Sequence, residues 1–193
     1  MTGAPKETRT KVGPLPGDLG PKEMIERMVR VDHAGEYGAV RIYEGQLSVL
    51  GQSKNAPVLK HMLEQEEEHL DTFNKLIAER RVRPTALLPI WHVAGFVLGA
   101  GTALLGERAA MACTVAVEEV IDEHYTRQID SLAQDKNINE PELSETFETF
   151  RAEELEHRQT ALDHEAEKAP GYDILTGAVK GASRFAIWLS ERV

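Results

Sequence analysis

The sequence predicts an all-α protein, a helical bundle carrying two additional apolar helices. Three observations support that expectation. The period-two alternation that marks strands is nearly absent, while apolar residues recur at helical spacing over long stretches. Short clusters of Gly, Pro and Asn punctuate those stretches. One unit of helices also occurs twice in the same order.

The first helix is expected from about Lys22 to Leu50, stopped by Gly51. Asn55-Ala56-Pro57, a cap candidate followed by an early proline, opens the second, which ends around Arg81 before Pro84. The third is the apolar stretch from Thr85 to Leu105, closed by Gly106. The fourth runs from Glu107 to about Gln134. Asn139-Glu140-Pro141-Glu142 reads as a capping box with Asn139 as the cap. It opens the fifth helix, which ends near Lys168 before Pro170-Gly171, and the sixth covers about Tyr172 to Glu191. Residues 1–20, rich in Pro, Gly and Thr and without the apolar core of a secretory signal, read as a flexible arm. Residues 21–193 read as one domain with repeat halves 22–106 and 107–193.

The bulk numbers narrow the function classes. A chain of 193 residues can bury a substantial core without staples. Its net charge of −10 argues against a nucleic-acid partner, which needs clustered Lys and Arg. The single cysteine, Cys113, excludes an intrachain disulfide and sits in the apolar run Ala109–Val117, where it reads as a small core residue.

The repeated unit carries the chemistry. Glu36 is followed seven residues on by Tyr43 and ten on by Gln46; Glu118 is followed by Tyr125 and Gln128 at the same offsets. Then come Glu66-Glu67-Glu68-His69 and Glu154-Leu155-Glu156-His157. Pro84 precedes an apolar helix with Trp91, and Pro170 precedes another with Trp188. Residues three apart on a helix share a face, so Glu66 projects beside His69 and Glu154 beside His157. Two such helices, with one Glu from each of two more, make the donor set of di-iron and di-manganese bundles. Four carboxylates around two divalent cations sum to zero local charge. The metal-ligand set is therefore expected to be Glu36, Glu66, His69, Glu118, Glu154 and His157. A solvated acidic face would explain either Glu-x-x-His segment alone, but not both with their preceding Glu and Tyr.

Three further positions attach to this set. His33, three before Glu36, is a competing ligand candidate. Tyr43 and Tyr125 are expected to point into the bundle beside the metals, packed there or contacting substrate. In the di-iron bundles that this donor set resembles, the residue just before Glu-x-x-His orients the opposite histidine; the resemblance implies that role for Glu153, strongly, and for Gln65, weakly.

Four segments carry a resemblance to a known family. They are Val31-Asp32-His33-Ala34-Gly35-Glu36-Tyr37-Gly38-Ala39, Leu98–Gly106, Ala112-Cys113-Thr114-Val115-Ala116-Val117-Glu118-Glu119 and Glu153-Glu154-Leu155-Glu156-His157. They strongly resemble the demethoxyubiquinone hydroxylases of ubiquinone biosynthesis, in the ferritin-like di-iron superfamily. The resemblance covers residues 22–193 and places that family's six ligands on the six residues named above. It implies a ferritin-like four-helix bundle, two iron ions, and O2-dependent hydroxylation of a demethoxyubiquinol ring (a polyprenyl 2-methoxy-5-methyl benzoquinol). It also implies membrane association and a lipid-binding partner of the same pathway, and a role for His124 and Tyr125 in electron delivery. Iron oxidation and storage is the alternative reading. NADH is a candidate reductant, although Gly95, Gly99 and Gly101 lie inside an apolar helix and form no nucleotide loop.

An apolar substrate fits the third helix, since Thr85–Gly106 contains no Asp, Glu, Lys or Arg. It reads as an interfacial helix walling a prenyl channel, with a transmembrane span and a buried core helix as alternatives. Gly99 is expected in that wall. Near the end of the sixth helix Phe185, Ile187, Trp188 and Leu189 are apolar, with Lys180, Arg184 and Arg192 available to anionic headgroups. The expected location is the cytoplasmic face of a bacterial inner membrane, or else the matrix face of the mitochondrial one. Self-association remains open.

Overall fold

The computed structural model describes residue 17 and residues 19–193. The expected N-terminal arm lies outside the described residues except for Gly17, Leu19 and Gly20. Among the described residues there are six α-helices and no strand: α1 Pro21–Leu50, α2 Ala56–Arg80, α3 Leu88–Leu104, α4 Glu107–Gln134, α5 Pro141–Asp163 and α6 Tyr172–Ser190. A 3-10 turn, Ala166–Lys168, joins α5 to α6.

Helix α1 packs along α2 and α4 along α5, while α3 lies on α1 and α6 on α4. Apolar side chains from the four long helices fill two clusters. One holds Tyr43, Leu59, Met62, Met111 and Ala161. The other holds Met28, Phe73, Tyr125, Leu132, Phe147 and Phe150. Cys113, Ala116 and Val117 of α4 meet Val179 of α6 in a third. Cys113 is a core residue, as expected, and burial pushes its thiol up to about 12.

Three expectations about the elements change. Helix α3 starts at Leu88 rather than Thr85, and its 17 residues span about 26 Å. That is short of the bilayer's hydrocarbon thickness. Among the described residues no helix is long and apolar enough to cross a membrane, which removes the transmembrane reading. The cap of α5 is Glu140, not Asn139, and no side chain caps that end. Pro141, with its fixed φ, takes the first helical position. The Glu140 carboxylate is drawn instead to Arg80, 2.7 Å away. Finally, α5 stops at Asp163, because Glu165 turns the chain at φ 64.

Gly99 also has a different job. A Cβ built on it would lie 1.9 Å from the carbonyl oxygen of Ile42, and one on Gly45 would lie 2.3 Å from that of Phe96. These glycines let the α1 and α3 backbones touch. Gly99 is a contact between helices and not part of a cavity wall.

Candidate metal centre

Helix α1 supplies Glu36, α2 Glu66 and His69, α4 Glu118, and α5 Glu154 and His157. None of the six is more than 4% exposed, so none belongs to a solvated acidic face. Their donor atoms form two groups, each within 4.8 Å: Glu36, Glu66, His69 and Glu154, and Glu66, Glu118, Glu154 and His157. Glu66 and Glu154 are common to both. Each divides its oxygens. Glu154 Oε1 lies 3.2 Å from His69 Nδ1, and its Oε2 lies 3.3 Å from His157 Nδ1. Glu66 Oε1 lies 3.1 Å from His157 Nδ1, and its Oε2 lies 4.0 Å from His69 Nδ1. Geometry thus separates Glu66 and Glu154, which face both groups, from Glu36 and Glu118, which face one each.

The donor set fits two cations. Both oxygens of Glu66, Glu154 Oε2 and the Nδ1 atoms of His69 and His157 are buried and hydrogen-bonded to nothing among the described residues. Buried polar atoms normally have partners. Here they converge, and a divalent ion at each focus would satisfy them with the oxygen and imidazole ligands that iron accepts.

The electrostatics show what happens without cations. Burial, then the charges of Glu154 and Glu36, pushes the Glu66 carboxyl well above its ordinary range; burial, then Glu154 and Glu66, does the same to Glu118. Burial alone would raise Glu154 too, but the imidazoles of His157 and His69 outweigh it and hold that carboxyl down at about 2. Burial disfavours a charged His69 ring, yet Glu154 and Glu36 outweigh it and raise the ring to about 12. Without cations the cluster therefore holds protons on these groups.

A metal bound here would displace those protons, so its affinity should fall as pH falls, by about tenfold per pH unit for each proton released. Ferrous titrations followed calorimetrically in two buffers of different ionisation heat should show net proton release. Identical heats in both buffers would contradict it.

The outer contacts follow the crosswise pattern expected from sequence. His69 Nε2 donates to Glu153 Oε2 at 2.6 Å, and His157 Nε2 to Gln65 Oε1 at 3.1 Å. Tyr125 donates to Glu36 Oε1 at 2.5 Å, and Tyr43 to Glu118 Oε1 at 3.2 Å. Burial first, and then the nearby carboxylates, pushes both phenols well above their usual range. His33 belongs to neither ligand group; its Nε2 contacts Asn74 Oδ1 at 3.1 Å, which corrects its candidacy as a ligand. His124 is also apart from both groups. Its Nε2 donates to Asp32 Oδ1 at 2.8 Å, and Gln128 donates to the same oxygen. Sequence reasoning missed Asp32, although its place four residues before Glu36 puts it on the same helix face.

A family model described as "Ubiquinone biosynthesis protein COQ7" matches residues 23–190. The chain belongs to this family. It is 60% identical over 180 residues to a 3-demethoxyubiquinol 3-hydroxylase of Rhodospirillum rubrum, covering 93% of this chain and 83% of that one. It is 53% identical over 169 residues to the human mitochondrial NADPH-dependent 3-demethoxyubiquinone 3-hydroxylase, covering 88% and 78%. The mitochondrial 5-demethoxyubiquinone hydroxylase of Saccharomyces cerevisiae is 44% identical over 182 residues, covering 88% and 78%.

This COQ7-family chain has an apolar cavity of about 250 Å³ between α1, α3, α4 and α6. Gly35 and Val117, the residues just before Glu36 and Glu118, are in its wall with Ile42, Leu98 and Ile121. Trp91 and Ser190 also line it, and the Trp91 indole donates to the Ser190 hydroxyl at 3.1 Å, tying α3 to α6. Ile90, Val93, Val97 and Leu104 of α3 are exposed, as are Ile174, Phe185 and Trp188 of α6. The basic residues of α6 and Arg192 just beyond it have acidic neighbours. Lys180 pairs with Glu119, and Arg184 lies 3.1 Å from Glu123. Arg192 pairs with Glu191 and sits 4.2 Å over the Trp188 ring. Lys180 is mostly covered, while the side chains of Arg184 and Arg192 stay about half exposed on the surface.

Proposed function

We propose that the protein hydroxylates the ring of a demethoxyubiquinol with O2 at a two-iron centre held by Glu36, Glu66, His69, Glu118, Glu154 and His157. One observation carries this reading. Six buried donors converge, four of them with unsatisfied atoms, and the residues just before two of them line a cavity that is almost wholly apolar. The names of the similar proteins support the reaction class. Iron storage would need the donors but gives the cavity no purpose.

Iron bound there supplies the reduction of O2 and transfer of one oxygen atom to the ring, the other leaving as water with two electrons from the reductant. The chain's own residues set the conditions. Glu66 and Glu154, with oxygens facing both positions, would hold both ions. Tyr125 and Tyr43 hold one oxygen of Glu36 and Glu118 and leave the other free to ligate. Apolar walls exclude water and receive the substrate, with its ring near Gly35 and Val117 and its tail leaving between α3 and α6. We place residues 21–193 in one domain of two related halves, 22–106 and 107–193. The reciprocal Tyr43–Glu118 and Tyr125–Glu36 bonds support that reading.

The reductant is a reduced pyridine nucleotide, NADH or NADPH, reached without a Gly-rich nucleotide loop. The exposed apolar faces of α3 and α6 rest on the lipid surface that holds the quinol, at the cytoplasmic or matrix face of an inner membrane. A lipid-binding partner of the pathway, or a second copy of the chain, meets the protein there. Anaerobic loading with ferrous iron, then addition of 18O2 and a demethoxyquinol, should give product carrying one 18O atom by mass spectrometry. Unlabelled product, or none from iron-loaded protein supplied with reductant, would reject the proposal.

A further inference from the structure

We infer that the two metal positions are unequal: the position of His69 fills first and binds tighter, and the position of His157 is the exchangeable one. This rests on the two-metal reading and deepens it. Glu66 and Glu154 serve both positions, so they cannot discriminate. Everything that differs lies in the unshared residues, and three differences point the same way.

The first is the acceptor behind each imidazole. His69 Nε2 lies 2.6 Å from a carboxylate oxygen of Glu153, whereas His157 Nε2 lies 3.1 Å from the amide oxygen of Gln65. Both contacts fix the proton on Nε2 and leave Nδ1 for the metal. A charged acceptor makes the shorter and stronger bond, and it makes the imidazole a better electron donor. Glu153 also brings a fifth negative charge toward the His69 position. Its side chain is 36% exposed, so water screens part of that charge, and the donor effect on the ring is the larger contribution.

The second difference is mechanical. The Phe150 ring stacks on His69 with centroids 3.9 Å apart and planes 24° apart. Phe150 is backed by Phe73 at 5.8 Å. His157 instead meets Tyr43 edge-on at 6.2 Å. An imidazole clamped between a carboxylate and a phenyl ring loses less freedom when a metal binds.

The third lies in the terminal carboxylates. Tyr125 holds Glu36 Oε1 at 2.5 Å, which leaves Glu36 Oε2 beside His69 Nδ1 at 3.4 Å. Tyr43 holds Glu118 more loosely, at 3.2 Å, and its hydroxyl also faces the Met62 sulfur at 3.7 Å. Each ligand unique to the His69 position is therefore better organised in advance. Loading should be sequential, and the fraction of chains holding both metals is set by the His157 position.

The test is an anaerobic ferrous titration of the metal-free full chain, followed by calorimetry and by Mössbauer spectroscopy of 57Fe. Two steps of one equivalent each are expected, with dissociation constants at least about tenfold apart. One quadrupole doublet should dominate at half loading and two at full loading. Glu153→Gln should weaken the tight step by about 10–100-fold, as loss of an outer partner generally does, and Glu153→Asp should restore part of it. Gln65→Glu should tighten the weak step, a gain that damage to the fold cannot mimic. Equal steps in the parent, a tight step unmoved by Glu153→Gln, or a weak step unmoved by Gln65→Glu would each overturn the inequality. A parent that binds no iron would instead overturn the two-metal reading beneath it.

Discussion

Replacing Glu154 by Gln should remove both metals at once and lower hydroxylation by about 1,000-fold or more, the scale of losing a group that defines the reacting geometry. The expectation follows from the division of its oxygens, one 3.2 Å from His69 Nδ1 and one 3.3 Å from His157 Nδ1. No other change of one residue except at Glu66 strikes both positions. Glu118→Gln, by contrast, should spare the position of His69, because Glu118 belongs to one group only. The fold should survive Glu154→Gln. The amide matches the carboxylate in size, but it removes the buried anion that the imidazoles of His157 and His69 hold down at about 2, a net stabilising charge at neutral pH when no cation is present. The metal-free melting temperature should therefore fall, with helicity by circular dichroism unchanged at room temperature, while iron content by elemental analysis falls toward zero. Iron retained at one equivalent per chain would show that Glu154 does not bridge.

The donors themselves were legible in the sequence because helical spacing is a local property. Glu66 and His69, or Glu154 and His157, must share a face whatever the helices pack against. The repeated offsets then matched each pair to a partner helix. Which carboxylates face both groups was not legible. That depends on the rotamers of Glu66 and Glu154 and on the approach of α2 to α5, and both are tertiary. The Asp32–His124 pair was missed for the same reason: it joins α1 to α4 across the bundle, and nothing near either residue in the chain announces the other. The cap of α5 went wrong because a carboxylate that local rules leave unassigned, Glu140, had a guanidinium waiting on α2. The crosswise partners of the two histidines were legible only through the likeness to di-iron bundles, because spacing along one helix does not say which histidine of another helix a residue meets.

Glycines divide along the same line between local and tertiary, and the division yields the second large effect. Gly38→Leu should abolish hydroxylation of a long-tailed quinol, by about 100-fold or more, while leaving iron content and stability intact. Gly38 lines the apolar cavity two residues after Glu36, and a Cβ built on it meets nothing within 4 Å. The leucine side chain therefore enters open space, the space proposed for the substrate. Removing a glycine from the middle of α1 also favours the helix by up to about 1 kcal/mol. Misplacing a reacting ring by even about 1 Å costs on the order of 100-fold, and a leucine in the cavity displaces it further. Gly99→Leu supplies the contrast. Its Cβ would lie 1.9 Å from a backbone oxygen of α1, so α3 must move off α1. Overpacking of this kind costs about 1–3 kcal/mol or more. That variant should melt earlier and lose activity on long-tailed and short soluble quinols alike. Gly38→Leu should melt no earlier than the parent and retain more activity on the short analogue than on the long one. If it bound iron normally and still turned over the long-tailed quinol at the parental rate, the cavity between α1, α3, α4 and α6 would not be the substrate's path to the metals.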